Sequence, residues 1–109
     1  MTKIIYSAIT WVDNKKEMGR EYIRWLENEH LPELSSQPGF NSVKRVKLEE
    51  LDQNQWQGYQ IIIEIDNRDD LETYFNSDSR KEAFKHIDNF SNVHYAERFF
   101  GEIDIYLNQ

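Results

Sequence analysis

The chain has 109 residues, a length that predicts a single domain over residues 1–109. Its twenty acidic and thirteen basic residues give a net charge of −7, which repels phosphate backbones, so we expect no nucleic-acid partner. Cysteine is absent, which excludes disulfides and thiolate metal sites. No apolar run is long enough to span a bilayer, so we expect no membrane partner.

The first predicted element is a strand over residues 3–12, which are rich in β-branched and aromatic side chains. This start lacks the long apolar stretch of a signal peptide, and we therefore expect a cytoplasmic protein. Apolar side chains fall on both faces of the strand: Ile5, Ile9 and Trp11 on one face, and Ile4, Tyr6, Ala8 and Val12 on the other.

A helix is predicted from Glu17 to about His30, with apolar side chains at the helical period: Met18, Tyr22, Ile23, Trp25 and Leu26. At about 100° per residue, His30 continues the stripe of Tyr22 and Leu26, and Glu29 lies on its flank. Both side chains are therefore predicted on the buried side of the helix. Pro32 disfavours helical geometry at Leu31, so the helix is predicted to end there.

Two opposing effects act on the predicted charge of His30. Burial disfavours the imidazolium, whereas the helix end and the neighbouring Glu29 favour it. Their balance predicts a pKa near neutrality, which suits proton transfer. The pattern also allows His30 to bond a free carbonyl at the helix end while Glu29 turns out to water.

The second and third strands are predicted over residues 40–48 and 59–66, joined by a polar segment that indicates a hairpin. The second strand follows the turn at Pro38 and Gly39, and its apolar positions change phase midway, which predicts a bulge. Its three cations are interpreted as a solvated strand face: Lys44, Arg45 and Lys47.

A second helical region begins at Asn67 or Asp69, either of which suits an N-cap, and its buried stripe is Leu71, Tyr74 and Phe75. The sequence NSDS interrupts it, and Ser77 or Ser79 caps a continuation through Ala83, Phe84 and Ile87. A last strand is predicted over residues 94–107, with one apolar face: Tyr95, Phe99, Ile103, Ile105 and Leu107.

The order β-α-β-β-α-β predicts an α+β, ferredoxin-like fold, in which an antiparallel four-stranded sheet carries both helices on one face. The first strand is apolar on both faces, and the helices can cover only one of them. An uncovered apolar face of this size predicts that the protein is a homodimer.

The segment YIRWLENEHLPELSSQPGF resembles the first helix and turn of small dimeric α/β-barrel proteins of the EthD-like kind. The matching positions are Trp25, Glu29, His30, Pro32, Pro38, Gly39 and Phe40. The segment YFNSDSRKEAF is similar to the second helical region of these proteins. The resemblance implies a dimer whose two sheets form a barrel, with a pocket between sheet and helices into which His30 points.

The resemblance leaves several functions open. One is a module that binds a small organic molecule near His30. Another is a cofactor-independent enzyme, of the monooxygenase, isomerase or dehydratase type, in which His30 transfers a proton and Glu29 orients it. In both, Arg98 is a candidate anion anchor, and the candidate pocket walls are Tyr6, Trp11, Tyr22, Leu26 and Tyr95. The pattern also allows Tyr6 and Tyr95 to be core residues, Trp11 to lie in a dimer interface and Arg98 to face solvent.

Haem binding or degradation is a further alternative, since His86 lies in the second helix, where haem-degrading relatives carry an axial histidine. The asparagine and tryptophan that accompany it there have no clear counterparts, and we expect no cofactor. A metal site is not predicted, because His30, His86 and His94 are far apart in sequence and have no ligand-type spacing.

Overall fold

A four-stranded antiparallel sheet lies at the centre of the computed structural model, which describes residues 3–108. The elements follow the chain in this order: β1 (Ile4–Val12), α1 (Glu17–Trp25), a π-helical turn (Leu26–His30), α2 (Leu31–Ser35), β2 (Phe40–Leu51), β3 (Gln57–Ile65), α3 (Arg68–Phe75), α4 (Asp78–Asp88) and β4 (His94–Glu102). The strands are arranged as β2-β3-β1-β4. This is the predicted α+β ferredoxin-like fold, and the fold prediction is confirmed.

The core lies between the helices and one face of the sheet. On that face the central strands contribute the alternate residues Ile4, Tyr6, Thr10, Val12, Tyr59, Ile61, Ile63 and Ile65, all of which are buried. The helices bury side chains at the helical period: Tyr22, Leu26, Leu34, Leu71, Tyr74 and Ile87. Removing these apolar groups from water is the main force that holds helices and sheet together.

The opposite face of the sheet is less covered. Ile5, Ile9 and Trp11 are only partly buried, whereas Tyr95 and Phe99 in β4 are 40% and 49% exposed. Trp11 pairs with Tyr95 in β4, so these two rings share this face. We refer to this side of the sheet as the open face.

The break in the second helical region is confirmed, and each half has its own cap. The Asn67 side chain accepts a hydrogen bond from the Asp70 N–H at 2.9 Å. The Ser77 hydroxyl accepts one from the Arg80 N–H at 3.2 Å. Of the alternatives that the sequence left open, Asn67 and Ser77 are therefore the caps, because their side chains satisfy N–H groups that a helix start leaves free.

We expect Ser77→Ala to lower the free energy of unfolding by about 1 kcal/mol, because it removes the cap of α4. Ser79→Ala is the matched control, since Ser79 is exposed inside the first turn of the same helix. It should leave stability nearly unchanged. Urea unfolding at one fixed protein concentration measures both, and equal losses in the two variants would contradict the assignment.

The strand boundaries differ most from the prediction at the ends of β2 and β4. β2 runs on to Leu51, and its register shifts near both ends, so the predicted irregularity is present although not in the middle. β4 ends at Glu102, and the predicted strand residues Ile105 and Leu107 are 73% and 84% exposed. The cause is the antiparallel ladder: Glu102 already pairs with Ile4, the first residue of β1.

In residues 3–108 no helix combines the length and the apolar character that crossing a membrane requires.

Candidate functional site

A cavity lies between the helices and the helix-covered face of the sheet. Its volume is about 40 Å³, which holds only a few water molecules. Five of the predicted site residues line it: Tyr6, Tyr22, Leu26, His30 and Arg98.

His30 enters the cavity wall from the last position of the π-helical turn. The Leu31 N–H donates to the Leu26 carbonyl, five residues back instead of four. Each residue in such a turn rotates the chain about the helix axis by a smaller angle than in an α-helix. His30 therefore lies almost directly above Leu26 along the axis. The imidazole stacks on the Trp25 ring, with centroids 4.8 Å apart and planes within 10° of parallel. It is 9% exposed.

The same turn corrects the prediction for Glu29. This residue was predicted on the buried side of the helix, and the structure shows the alternative that the sequence left open, in which Glu29 turns out to water. Because each residue of the π turn rotates by a smaller angle about the helix axis, Glu29 does not reach the apolar stripe. It lies on the outer surface beside Trp25. It therefore does not contact the cavity, and it is not placed to orient His30 from inside.

The prediction from Pro32 that the helix ends at Leu31 is also wrong. The helix continues as α2 to Ser35, with Pro32 in the first turn of that segment. Proline fits there because the first turn of a helix does not need its N–H groups for internal bonds. The π turn absorbs the change of hydrogen-bond register just before the proline. An ion pair of 2.7 Å from Arg45 in β2 to Glu27 fastens this turn to the sheet.

The imidazole of His30 is held in its neutral form. Burial, and secondarily the positive charge of Arg98, lower the pKa of His30 to about 4. The predicted pKa near neutrality is therefore wrong, because the helix continues past His30 and Glu29 faces water, so neither favours the charged ring. The predicted bond to a helix-end carbonyl is also not found: the His30 Nδ1 is buried without a hydrogen-bond partner among the described residues.

Neutral hydroxyl groups form most of the remaining polar lining. The Tyr22 and Thr10 hydroxyls are 3.1 Å apart and hydrogen bonded. Burial raises the pKa of Tyr22 and also that of Tyr74, so both phenols stay protonated at neutral pH. The cavity therefore offers hydroxyl donors and an uncharged imidazole in apolar surroundings.

Arg98 brings a positive charge to this lining. It pairs with Ala8 across β1 and β4, which places it on the helix-covered face. Its guanidinium lies 4.8 Å from the centre of the Phe84 ring. Between residues 3 and 108 no carboxylate pairs with it.

Trp11 and Tyr95, both predicted as pocket walls, lie elsewhere. Side chains alternate along a strand, so Trp11, five residues after Tyr6, lies on the open face. Tyr95 lies beside it, and its hydroxyl donates to the Asp52 carboxylate at 2.6 Å. That bond raises the pKa of Tyr95 to about 12.

The other residues that line the cavity were not predicted as site residues: Ala8, Thr10, Leu34, Ile61, Ile63, Tyr74, Phe84, Ile87 and Ala96. The alternation that contains Tyr6 does include Ala8 and Thr10, and that of Arg98 includes Ala96. Tyr74 was predicted in the buried stripe of the second helical region, and Phe84 and Ile87 were predicted in its helical continuation. Nothing in the sequence indicates that the helices leave a space above these positions.

His86, the residue behind the haem alternative, is exposed and does not line the cavity. Its ring packs on the outer side of Trp25, with centroids 4.7 Å apart. The structure therefore gives no support to an axial histidine inside the cavity. Within the described residues no three His, Asp or Glu side chains cluster as metal ligands.

Residues 3–100 match a family described as a domain of unknown function, DUF4286. The chain belongs to this family. No curated protein matches the chain. The description of the DUF4286 family names no activity. The remaining comparison is with solved structures.

Three solved structures resemble this DUF4286 protein along most of its length. A dimeric ferredoxin-like protein from an uncultured marine organism has a TM-score of 0.71 at 12% identity, covering 98% of this chain and 100% of its own. A variant of SnoaB, a cofactor-independent oxygenase from Streptomyces nogalater, has 0.67 at 14%, with 98% of each chain covered. An EthD family protein from Bacillus halodurans has 0.59 at 14%, covering 87% and 96%. At these identities the likeness shows the fold alone, and it agrees with the resemblance found in the sequence.

Proposed function

We propose that this DUF4286 protein binds a small organic molecule in the cavity beside His30. The observation that supports this most strongly is the buried His30 Nδ1, which has no hydrogen-bond partner among the described residues. Buried polar atoms are nearly always paired, because an unpaired one costs about 1–3 kcal/mol. A ligand that hydrogen bonds to this atom would remove that cost.

The neutral state of His30 favours this role. No hydrogen bond fixes its tautomer, so the ring can offer either a donor or an acceptor to a ligand. Phenols and enols suit it, because they both donate and accept hydrogen bonds. The aromatic rings of Tyr6, Tyr22 and Tyr74 around the cavity favour a flat molecule.

The proposal includes a homodimer formed through the open face. A second copy of the chain would cover Trp11, Tyr95 and Phe99, whose exposure in a single chain is unusual for large apolar rings. A two-fold axis would bring the same patch of each chain together. One of the proteins with a similar fold is named as a dimeric ferredoxin-like protein, which supports this assembly.

A second candidate is a cofactor-independent enzyme. It is favoured because the cavity lining contains both a neutral base, His30, and a cation without an ion pair among the described residues, Arg98. His30 would accept a proton from a weakly acidic C–H or O–H group, and Arg98 would stabilise the resulting oxyanion. A bound anion would also raise the low pKa of His30 and so ease the transfer. Glu29 has no part in this mechanism, because it is exposed outside the cavity.

We expect phenol to shift the imidazole NMR signals of His30, because its ring suits the apolar lining and its hydroxyl can hydrogen bond to the imidazole. Ala96→Leu places a larger side chain in the cavity lining and should weaken this shift, while the thermal transition shows that the variant remains folded. Phenol binding that leaves the His30 signals unchanged would contradict the proposed site.

Exchange of the acidic C–H of a β-diketone with deuterated solvent separates the two candidates. An enzyme of the proposed type accelerates the exchange, and His30→Phe abolishes the acceleration. A protein that binds phenol at His30 without accelerating exchange is a binding module for this chemistry.

A further inference from the structure

Two arginines lie against one aromatic ring at the cavity. Arg80 in α4 and Arg98 in β4 place their guanidinium carbons 4.5 and 4.8 Å from the centre of the Phe84 ring. Arg80 also lies 4.5 Å from the centre of the Phe75 ring. Cation–π contacts hold a guanidinium in place and leave its N–H donors available. We call Arg80, Phe84 and Arg98 the arginine cluster.

Neither arginine of the cluster is neutralised. In the part of the chain that the structure describes, the six ion pairs use other cations, although acidic residues outnumber basic ones by twenty to thirteen. The Arg80 Nε is buried and has no hydrogen-bond partner among the same residues. Arg80 is partly buried and Arg98 is exposed, so their donors can reach an anion from outside the chain.

Phe84 and Arg98 line the cavity, and Arg80 lies next to it, against the Phe84 ring. The positive charges of Arg80 and Arg98 also act on Tyr74 in the cavity lining. Burial raises the pKa of Tyr74, and both arginines oppose that rise. The carboxyl group of Glu33 acts on the same phenol in the opposite sense, and burial raises the pKa of Glu33 itself. The cavity thus has a positive side next to an apolar interior.

We propose that the arginine cluster binds the carboxylate of a small aromatic acid whose ring enters the cavity. This inference rests on the proposed function and narrows its ligand from an organic molecule to an organic anion. A carboxylate matches the planar, multiple donors of guanidinium groups. The flat ring matches the apolar and aromatic lining, which a compact inorganic anion would leave unfilled.

Benzoate and benzamide test this inference, because they share a ring and a similar shape but differ in charge. In the wild-type protein we expect benzoate to bind at least about tenfold more tightly than benzamide, as a charged hydrogen-bonded group requires. Arg80→Gln and Arg98→Gln should each remove most of that preference. Arg80→Lys, which keeps the charge but not the planar donors, should retain part of it.

Arg68→Gln is the matched control. It makes the same change of net charge at an exposed position at the start of α3, outside the cavity, and should leave both affinities unchanged. Circular dichroism checks that every variant is folded. The His30 imidazole signals report whether each probe occupies the cavity.

Each outcome has a defined meaning. Equal affinities for the two probes, with both shifting the His30 signals, would overturn the carboxylate inference and leave the proposed function standing. A benzoate preference that persists in Arg80→Gln and Arg98→Gln would overturn the role of the cluster. Probes that leave the His30 signals unmoved would refute the proposed site and this inference together.

Discussion

His30→Phe is expected to be at least as stable as the wild-type protein at pH 7.5. Its stability relative to the wild type should increase as the pH falls. The phenyl ring keeps the stacking on Trp25 and removes the unpaired His30 Nδ1, a group whose burial costs about 1–3 kcal/mol. The larger ring has room, because the cavity lies beside it.

The pH dependence follows from the pKa of His30, which is lowered from 6.5 to about 4 in the folded state. Below pH 6.5 the unfolded chain binds a proton that the folded protein excludes, so the wild type loses stability as the pH falls towards 4. The loss amounts to about 2 kcal/mol between pH 7.5 and pH 5. The variant lacks this loss. Urea unfolding of both proteins across this range measures the difference, in which the contributions of all other groups cancel.

His94→Phe is the matched control at neutral pH. The His94 Nδ1 lies 2.7 Å from the Phe90 carbonyl and is hydrogen bonded to it, so its removal should cost about 1 kcal/mol. Opposite effects of the two substitutions would separate a histidine kept for structure from one kept for another role. A loss of stability in His30→Phe as large as that in His94→Phe would argue against an unpaired His30.

Trp11→Asp is expected to convert the proposed dimer into monomers. A large aromatic ring at the centre of an interface contributes at least about 2 kcal/mol to dimer stability, and a buried charge adds a penalty. The dissociation constant of the dimer should therefore rise by about a hundredfold or more. Met18→Asp is the control, because Met18 is 43% exposed on the helical side of the protein. It should leave the dimer intact.

Light scattering coupled to size-exclusion chromatography, over a wide range of concentration, distinguishes these cases. A wild-type chain that stays monomeric at the highest concentration would exclude the dimer. If Trp11→Asp and the wild type have the same dissociation constant, the interface lies on another surface.

The sequence predicts the fold well because its signals are local and repeated. Alternation along β1 separates Ile4, Tyr6 and Val12 from Ile5 and Ile9, and the structure buries the first set beneath the helices. The N-cap preferences limit the start of α3 and of α4 to two residues each. The helical stripe through Tyr22 and Leu26 leads correctly to a buried His30.

The errors arise where local rules meet a longer-range constraint. The π turn depends on how the first helix packs on the sheet, and it moves Glu29 outward and lets the helix continue through Pro32. The end of β4 is set by the start of its partner β1, which no pattern within residues 94–107 reveals. The grouping of Trp11 with Tyr6 went against the alternation of a strand, which the sequence already contained.

The candidate site was only half predictable for a related reason. A histidine at the end of an apolar stripe is visible in the sequence, but a cavity is a space that packing leaves empty. The arginine cluster joins residues from α4 and β4, and only the tertiary structure brings them to the same ring.

The most direct measurement is an NMR pH titration of the His30 imidazole, with its signals assigned by their absence in His30→Phe. An enclosed ring that stays neutral predicts no titration of His30 until the pH falls below about 5. A midpoint near 6.5, the value of an imidazole in water, would show that the ring is solvated and would contradict a closed binding site beside it.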